Sequence, residues 1–402
     1  MKHMAAAIEL GTSKVVVLIG TKTRYGDIEL LGSGVCPYAG YRNQQWIAPE
    51  ELKTAVTTAI RDAEQQAHRK VKELYVGIPG NFIQSVCRRG VIPIQAKDHR
   101  VTLGDIDLVM EEAEDFPKQA ELIIVHRYPF LFRLDEKETQ EFPIGMRGFR
   151  LEAEVCFTLA NHRFIEDIKE IMNHLGIRIK DYLPAPLGEG LHLIPYEQRD
   201  KGAVLIDMGY LTTDVSIFEG DALVYHDTIS LGGAHLASDL AIALHLPMEQ
   251  AEQLKRQYVF GLDTSLSTDD SGFDMLIKDG NQTVRISMQD VQNVIEARME
   301  EIALMVKQSI QRSDRHDLLQ KNVILTGGGV ALMRGSREFL SRILEMPVTI
   351  AAPKVPGFNH PTLSNAFGVL DFALADPAFA KEGFVTSILN VFRDKFAGFF
   401  SY

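Results

Sequence analysis

The chain has 402 residues, 46% of them hydrophobic and 24% charged, with a formal net charge of −12. That length exceeds one ordinary domain, and the apolar share is enough for packed cores, so about two to four compact units are expected. The acidic balance repels a polyanion and argues against a nucleic-acid partner, and no apolar run is long enough to span a bilayer.

Met1-Lys2-His3-Met4 leads into an apolar stretch that Glu9 cuts short, so no secretory signal is expected. Residues 4–20 read as a strand, a tight turn at Gly11-Thr12-Ser13-Lys14, and a second strand, Val15-Val16-Val17-Leu18-Ile19. Residues 49–68 read as a helix, with Pro49 near its start and Leu52, Val56, Ile60 and Ala63 on one face. Between 84 and 160 the texture changes. A helix over 101–115, capped by Thr102 with Asp105 three residues on, sits among strand-like pieces at 122–134 and 149–159, as in an inserted subdomain.

At 202–220 the grammar of the first strands returns. Ala203-Val204-Leu205-Ile206 is a buried strand, Asp207-Met208-Gly209 opens a turn, and Thr212-Thr213-Asp214 closes it into a second strand. Ile8-Glu9-Leu10-Gly11 and Ile206-Asp207-Met208-Gly209 are alike, each an acid-x-Gly hairpin tip followed by hydroxyl residues. An internal duplication half a chain apart implies two similar domains facing one another. Residues 248–258 then read as a helix, 261–287 as loop and strand, and 288–311 as a long amphipathic helix bearing Val291, Val294, Ile295, Ile302 and Met305. Val323-Ile324-Leu325-Thr326 is a buried strand that runs into Gly327-Gly328-Gly329, with a helix around 334–344 beyond. Residues 376–384 read as a short linker, and 385–400 carry Ile388, Leu389, Phe392, Phe396, Phe399 and Phe400 at helical spacing.

Cys36, Cys87 and Cys156 are few, far apart and odd in number, and read as reduced, partly buried thiols of a cytosolic protein. The histidines, His192 and His235 among them, lack ligand spacing and read as surface or core residues.

The chemistry lies in the three turns. A nucleoside triphosphate carries crowded anionic oxygens, which backbone N–H groups in glycine turns can approach closely. Its magnesium keeps much of its hydration shell, and carboxylates hold the waters. The two acid-x-Gly hairpins supply Glu9 and Asp207 as those carboxylates, with hydroxyl donors at Thr12, Ser13, Thr212 and Thr213. The triple-glycine turn is shaped to lie flat against a purine and its ribose.

In this order and spacing the three elements resemble the actin and sugar-kinase superfamily, and more closely the FtsA family of bacterial division proteins. Glu9-Leu10-Gly11-Thr12-Ser13-Lys14-Val15 is similar to that family's first phosphate loop. Ile144-Gly145-Met146-Arg147-Gly148 with Leu151-Glu152-Ala153 resembles the end of its inserted subdomain, the feature that separates it from true actins, chaperones and small-molecule kinases. Glu252 and Lys255 match a helix lying against the nucleoside, Ser364-Asn365-Ala366-Phe367-Gly368 the second connecting segment, and Pro184-Ala185-Pro186-Leu187 roughly the first.

The resemblance implies an α/β fold: actin-like, duplicated ribonuclease-H-like domains with an inserted α+β subdomain and a C-terminal amphipathic helix. It divides the chain into subdomain 1A at 1–83 and 161–200, the inserted subdomain 1C at 84–160, subdomain 2A at 201–240 and 321–375, subdomain 2B at 241–320, a linker at 376–384 and a membrane-targeting helix at 385–402. The implied ligands are ATP and magnesium. The implied nucleotide contacts are Gly11, Thr12, Ser13, Lys14, Gly209, Thr212, Thr213, Gly232, Gly233, Glu252, Lys255, Gly327, Gly328 and Gly329, and Glu9 and Asp207 would hold magnesium through water. No catalytic base is assigned.

One departure bears on turnover. After Asp207-x-Gly209 the family usually has two more glycines, and here Tyr210 and Leu211 stand there. Either both side chains point outward and the turn survives, or phosphate binding is weakened and hydrolysis is slow or absent.

A helix over 385–400 would be about 24 Å long, too short and too polar to span, so it would lie in the membrane interface. Arg393 and Lys395 are offset by Asp394 and the terminal carboxylate, so attachment rests on the apolar anchors and is weak for one tail. A polymer presenting many tails would hold firmly. The expected partners are the C-terminal tail of the tubulin-like FtsZ, further copies of the chain, membrane lipid and downstream division proteins, at the inner face of the cell membrane. By resemblance the FtsZ-tail site falls in 240–320, where Glu296 and Arg298 match a pattern; on their own they are simply solvated charges. The alternatives are a pilus-assembly actin-like ATPase and a small-molecule kinase with an acceptor pocket and a base.

Overall fold

Val15 to Ile19 contains no polar side chain, and the strand it forms is buried on both faces at the centre of a sheet. The computed structural model describes residues 4–375 apart from 40, 43, 44, 47, 117–120, 140, 141, 262–274, 280, 281 and 314–322, with backbone only for 41, 42, 45, 275–279 and 282–285. The expected linker and terminal helix, with Ile388, Leu389, Phe392, Phe396, Phe399 and Phe400, lie outside the described residues.

The chain opens with β1 (Met4–Leu10), β2 (Lys14–Lys22) and β3 (Ile28–Pro37), then the two-residue strands β4 (Tyr41–Arg42) and β5 (Gln45–Trp46), helix α1 (Pro49–Ala67) and β6 (Glu73–Ile78). Pro49 supplies the fixed φ of a first helical position, and Leu52, Val56, Ile60 and Ala63 are buried. Added Cβ atoms at Gly32 and Gly34 would overlap the Ala63 and Ala59 carbonyls, so these glycines let α1 lie close on β3.

An insertion follows: β7 (Ile83–Pro93), α2 (Leu103–Ala113), β8 (Leu122–Leu134), β9 (Lys137–Thr139) and β10 (Arg150–Asn161). Its strands form a separate sheet in the order β7-β10-β8-β9. The reciprocal cap starts α2 later than its apolar pattern: Asp105 N donates to Thr102 Oγ1 (3.3 Å) and Thr102 N donates to Asp105 Oδ2 (2.8 Å). One sheet face packs on α2 through Ala153, Val155 and Phe157. The other packs Tyr128, Phe130 and Cys156 into a core shared with the second half of the chain.

The chain returns through α3 (His162–His174), β11 (Arg178–Pro184), α4 (Ala185–Leu193) and the single turn α5 (Tyr196–Arg199). The second half holds β12 (Ala203–Met208), β13 (Thr213–Glu219), β14 (Ala222–Ile229), α6 (Gly233–Ala243), α7 (Met248–Gln257), β15 (Met275–Asp279), β16 (Gln282–Ile286) and α8 (Met288–Arg312). It ends with β17 (Val323–Thr326), α9 (Ser336–Leu344), β18 (Val348–Ile350) and α10 (Ser364–Leu374).

The duplication is visible in the strand orders. The first sheet runs β11-β6-β1-β2-β3, and the second runs β18-β17-β12-β13-β14. In each, three antiparallel strands are followed by two parallel ones on the other side of the first. Helices α4 and α10 cross where Gly188 meets Gly368, and a Cβ on either would overlap the other's backbone. Among the described residues no helix is long and apolar enough to cross a membrane.

The reading of three reduced thiols is corrected. Antiparallel register sets Cys156 directly opposite Cys87, with Cα atoms 4.2 Å apart, and the two are disulfide-bonded; Cys36 is free. Their separation of 69 residues conceals the pairing because it arises from sheet register, not from local spacing.

Candidate nucleotide site

The two acid-x-Gly hairpins close in the same way. Gly11 N donates to Lys14 O (3.0 Å), and Gly209 N donates to Thr212 O (2.8 Å). Their tips touch, because Leu211 N donates to Thr12 Oγ1 at 3.1 Å. Tyr38 braces the first tip, its hydroxyl donating to Gly11 O at 2.7 Å while Trp46 Nε1 donates to that hydroxyl at 3.1 Å.

The second tip rests on the start of α6. Gly233 N donates to Gly209 O (2.9 Å) and Ala234 N to Tyr210 O (2.8 Å), while Gly232 N donates to His235 Nδ1 (3.0 Å). These bonds satisfy amides that a helix start leaves unpaired. The two bonds to Gly209 O and Tyr210 O use backbone atoms only, so the turn keeps its shape with side chains at 210 and 211. Tyr210 is 40% exposed and points outward, which favours the survival of the turn over its distortion.

The triple-glycine turn packs against both. Gly329 N donates to Met208 O at 2.7 Å. Gly327 has φ +90°, and a Cβ there would overlap Asp207 Oδ1. A Cβ at Gly329 would lie 2.5 Å from Gly209 O, and one at Gly233 would lie 2.6 Å from Gly329 Cα. Backbone meets backbone here, and only glycine permits it.

Four carboxyl groups gather beneath these turns. Burial lifts Glu9 to about 7, with Lys14 pulling it down and Asp207 pushing it up. Burial and the neighbouring Asp214 lift Asp207 to about 7, against a hydrogen bond from Asn365. Burial lifts Asp214 to about 6, although Thr228 donates to it at 2.6 Å. Glu189 is pushed well above the usual range by burial and by the charges of Asp207, Asp214 and Glu9. Asn365 Nδ2 donates to Asp207 Oδ2 at 2.6 Å, while Asp207 Oδ1 has no hydrogen-bond partner. Burial lowers Lys14, with Glu9 and Asp207 opposing the shift.

This donor set fits a hydrated divalent cation with a polyphosphate. Buried carboxylates with raised pKa and an orphaned oxygen gain most from a nearby dication. Glu9 and Asp207 would hold its waters, Lys14 would meet phosphate, and the glycine backbones would lie against the rest of the nucleotide.

Of the residues expected from sequence, Glu9, Gly11 to Lys14, Asp207, Gly209, Thr212, Gly232, Gly233 and Gly327 to Gly329 come together here. Thr213 lies beneath the turn, its hydroxyl donating to Leu231 O (2.7 Å). Lys255 is buried and donates to Gly233 O (3.0 Å) while pairing with Glu252 (2.8 Å), so α7 is pinned to the start of α6. Glu296 and Arg298 lie elsewhere, on α8. Tyr258 Oη donates to Glu296 (2.7 Å), and Arg298 Nε donates to Asp239 (2.5 Å) on α6. Sequence reasoning placed Asn365 in a connecting segment, Asp214 at the close of the second turn and His235 among surface or core residues, but made none of them, nor Glu189 or Tyr38, a site residue. Glu189 carries a sequence signal too, a charge between two glycines in an apolar helix.

Two family models match: "Cell division protein FtsA" over residues 204–368 and "SHS2 domain inserted in FTSA" over 80–158. The chain is 30% identical over 382 residues to the cell division protein FtsA of Neisseria meningitidis, covering 92% of this chain and 89% of that one. It is 29% identical over 378 residues to that of Pseudomonas aeruginosa, with the same coverage. Among solved structures, a type IV pilus biogenesis complex, PilM–PilN, aligns with TM-score 0.64 and 16% identity over 94% of this chain and 99% of that one. MreB5 of Spiroplasma citri bound to ADP aligns with TM-score 0.54 and 12% identity over 94% and 98%. The fold is thus actin-like, with an SHS2 insertion.

Proposed function

The chain belongs to the FtsA family of cell division proteins, and from that premise we propose that it is an ATP-binding actin-like scaffold. It binds ATP with magnesium in the cleft between its two halves, assembles with further copies of itself, and tethers FtsZ filaments to the inner face of the cell membrane. The observation that carries the nucleotide reading is the convergence of three glycine turns over Glu9 and Asp207, one turn from each half bonded to the other through Thr12 and Leu211. Bound magnesium would neutralise phosphate charge; the residues here orient and enclose the nucleotide. Turnover is slow in this reading, because the two tips are already bonded across the place where phosphates and an attacking water would be arranged.

Membrane attachment is assigned to the 385–402 segment, whose apolar residues recur at helical spacing. Assembly multiplies these weak anchors. The FtsZ tail is assigned to the 240–320 region, and downstream division proteins to other surfaces. The testing experiment is equilibrium binding of ATP with magnesium to the full-length chain, followed by co-sedimentation with liposomes and pull-down by an FtsZ C-terminal peptide. Binding at about micromolar Kd, ATP-dependent co-sedimentation and capture by the peptide are expected. No ATP binding, or phosphate release at about 10 per second, the rate of an ordinary enzyme, would refute the gated-scaffold reading.

A further inference from the structure

The first sheet has a second end, opposite the nucleotide turns. There β1 begins at Met4, β6 at Glu73 and β11 at Arg178, while β2 ends at Lys22. A cavity of about 310 Å³ opens at this end, lined by Met4, Arg69, Lys70, Lys72, Glu73 and Lys180 among others. Its charged lining is four cations to one carboxylate, in a chain of net charge −12. Lys180 lies over the Tyr75 ring (5.3 Å) and pairs loosely with Glu73 (3.7 Å), while Lys70 reaches Glu64 (2.6 Å) with 82% of its side chain exposed. Among the described residues, no ion pair engages Arg69 or Lys72, and both are exposed.

The C-terminal segment leaves from the same end. Helix α10 starts beside the nucleotide turns, where Ser364 bonds Thr326 (2.8 Å), and runs down the sheet to Asp371, which pairs with Lys22 (3.0 Å). The described chain stops at Ala375, one turn later. A nine-residue connection reaches at most about 32 Å, so a tail held at a bilayer keeps this face near the surface. The tail is not a matching occupant, because its own side-chain charges cancel: Lys381, Arg393 and Lys395 against Asp376, Glu382 and Asp394.

We infer that this cationic end is a second membrane contact, binding the phosphate headgroups of anionic lipids and orienting the body with its nucleotide cleft away from the bilayer. The inference rests on the terminal segment being the membrane anchor. An acidic body is repelled by an anionic bilayer, so the face it presents has to be the one where cations are concentrated. Each Lys or Arg near such a surface strengthens attachment about fivefold.

The test is flotation of the full-length protein with phosphatidylcholine vesicles and with vesicles containing about one-third phosphatidylglycerol. The wild type is expected to prefer the anionic vesicles. The Arg69→Gln/Lys70→Gln/Lys72→Gln variant is expected to bind them about a hundredfold less, with binding to phosphatidylcholine unchanged. The double variant Lys70→Gln/Lys72→Gln, a smaller perturbation of the fold, is expected to lose about 25-fold. A control triple of the same charge, Arg163→Gln/Arg312→Gln/Arg337→Gln, is expected to keep the preference. Retention of the anionic preference in the patch variants, or an equal loss in the control triple, overturns the inference and leaves the tail anchor standing. A wild type that binds neither vesicle overturns both.

Discussion

Replacing Glu9 by Gln separates what this carboxyl does for folding from what it does for a cation. Its folded pKa of about 7 lies above the ordinary 4.5, with burial as the main cause. The folded chain therefore holds this proton more tightly than the unfolded chain does. Stability is full at acid pH and is lost as pH rises from the unfolded value through the folded one. Above about pH 8 the loss is complete, and a gap of about 2.5 pH units corresponds to about 3 kcal/mol. Gln keeps the shape and removes the charge. Without nucleotide, Glu9→Gln should raise the thermal midpoint by several degrees at about pH 8.5, with the gain shrinking towards pH 5. In thermal-shift titrations the same variant should lose most of the added stabilisation that ATP with magnesium gives the wild type. The two effects have opposite signs, so general damage to the fold cannot imitate both. A lower midpoint at pH 8.5 would refute the reasoning, since Lys14 would then more than compensate for burial; so would a gain independent of pH, since the gain would then not come from the titration of this carboxyl.

Gly327→Ala forces a side chain onto φ +90° and into Asp207. It should cost about 3 kcal/mol and abolish ATP binding, whereas Gly145→Ala, at φ +81° with open space around it, should cost only about 1 kcal/mol in the same denaturation assay. Arg298→Ala removes the link from α8 to Asp239 on α6 and should lower stability by about 1–2 kcal/mol. Weaker binding of an FtsZ peptide with an unchanged thermal midpoint would instead make Arg298 a partner contact. Tyr210→Gly/Leu211→Gly should change the Kd for ATP by less than about tenfold, because the turn is held through Gly209 O, Tyr210 O and Leu211 N. Calorimetric titration that finds ATP binding only in the glycine variant would show that the two side chains block the site.

Most of the fold was legible because its signals are local or repeated. Continuous apolar runs rich in β-branched residues mark β2 and β12, Thr102 with Asp105 marks the start of α2, and the two acid-x-Gly tips reveal the duplication that the identical strand orders display. What sequence concealed depends on long-range register. Cys87 meets Cys156 only because β7 and β10 pair residue for residue. Asn365 reaches Asp207 across 158 positions, and Leu211 reaches Thr12 across 199. Nothing in the spacing of Lys255 says that its amine lies under Gly233 instead of facing solvent. The cationic patch is legible in part: Arg69, Lys70 and Lys72 stand together in the sequence, but Lys180 joins them only through the pairing of β11 with β6.

Helix α10 joins the two ends of the molecule. Asn365 near its start holds the site carboxylate Asp207, and Asp371 in its last turns holds Lys22 and His192 at the cationic end. Midway it crosses α4 at Gly368 and Gly188, backbone against backbone. Close-packed backbones with no side chain between them have little room to give. The crossing therefore fixes α10 against α4 between the site carboxylate at one end and the Lys22–Asp371 pair at the other. Glu189 sits at the crossing, where burial first, and then the charges of Asp207, Asp214 and Glu9, push its carboxyl well above the usual range.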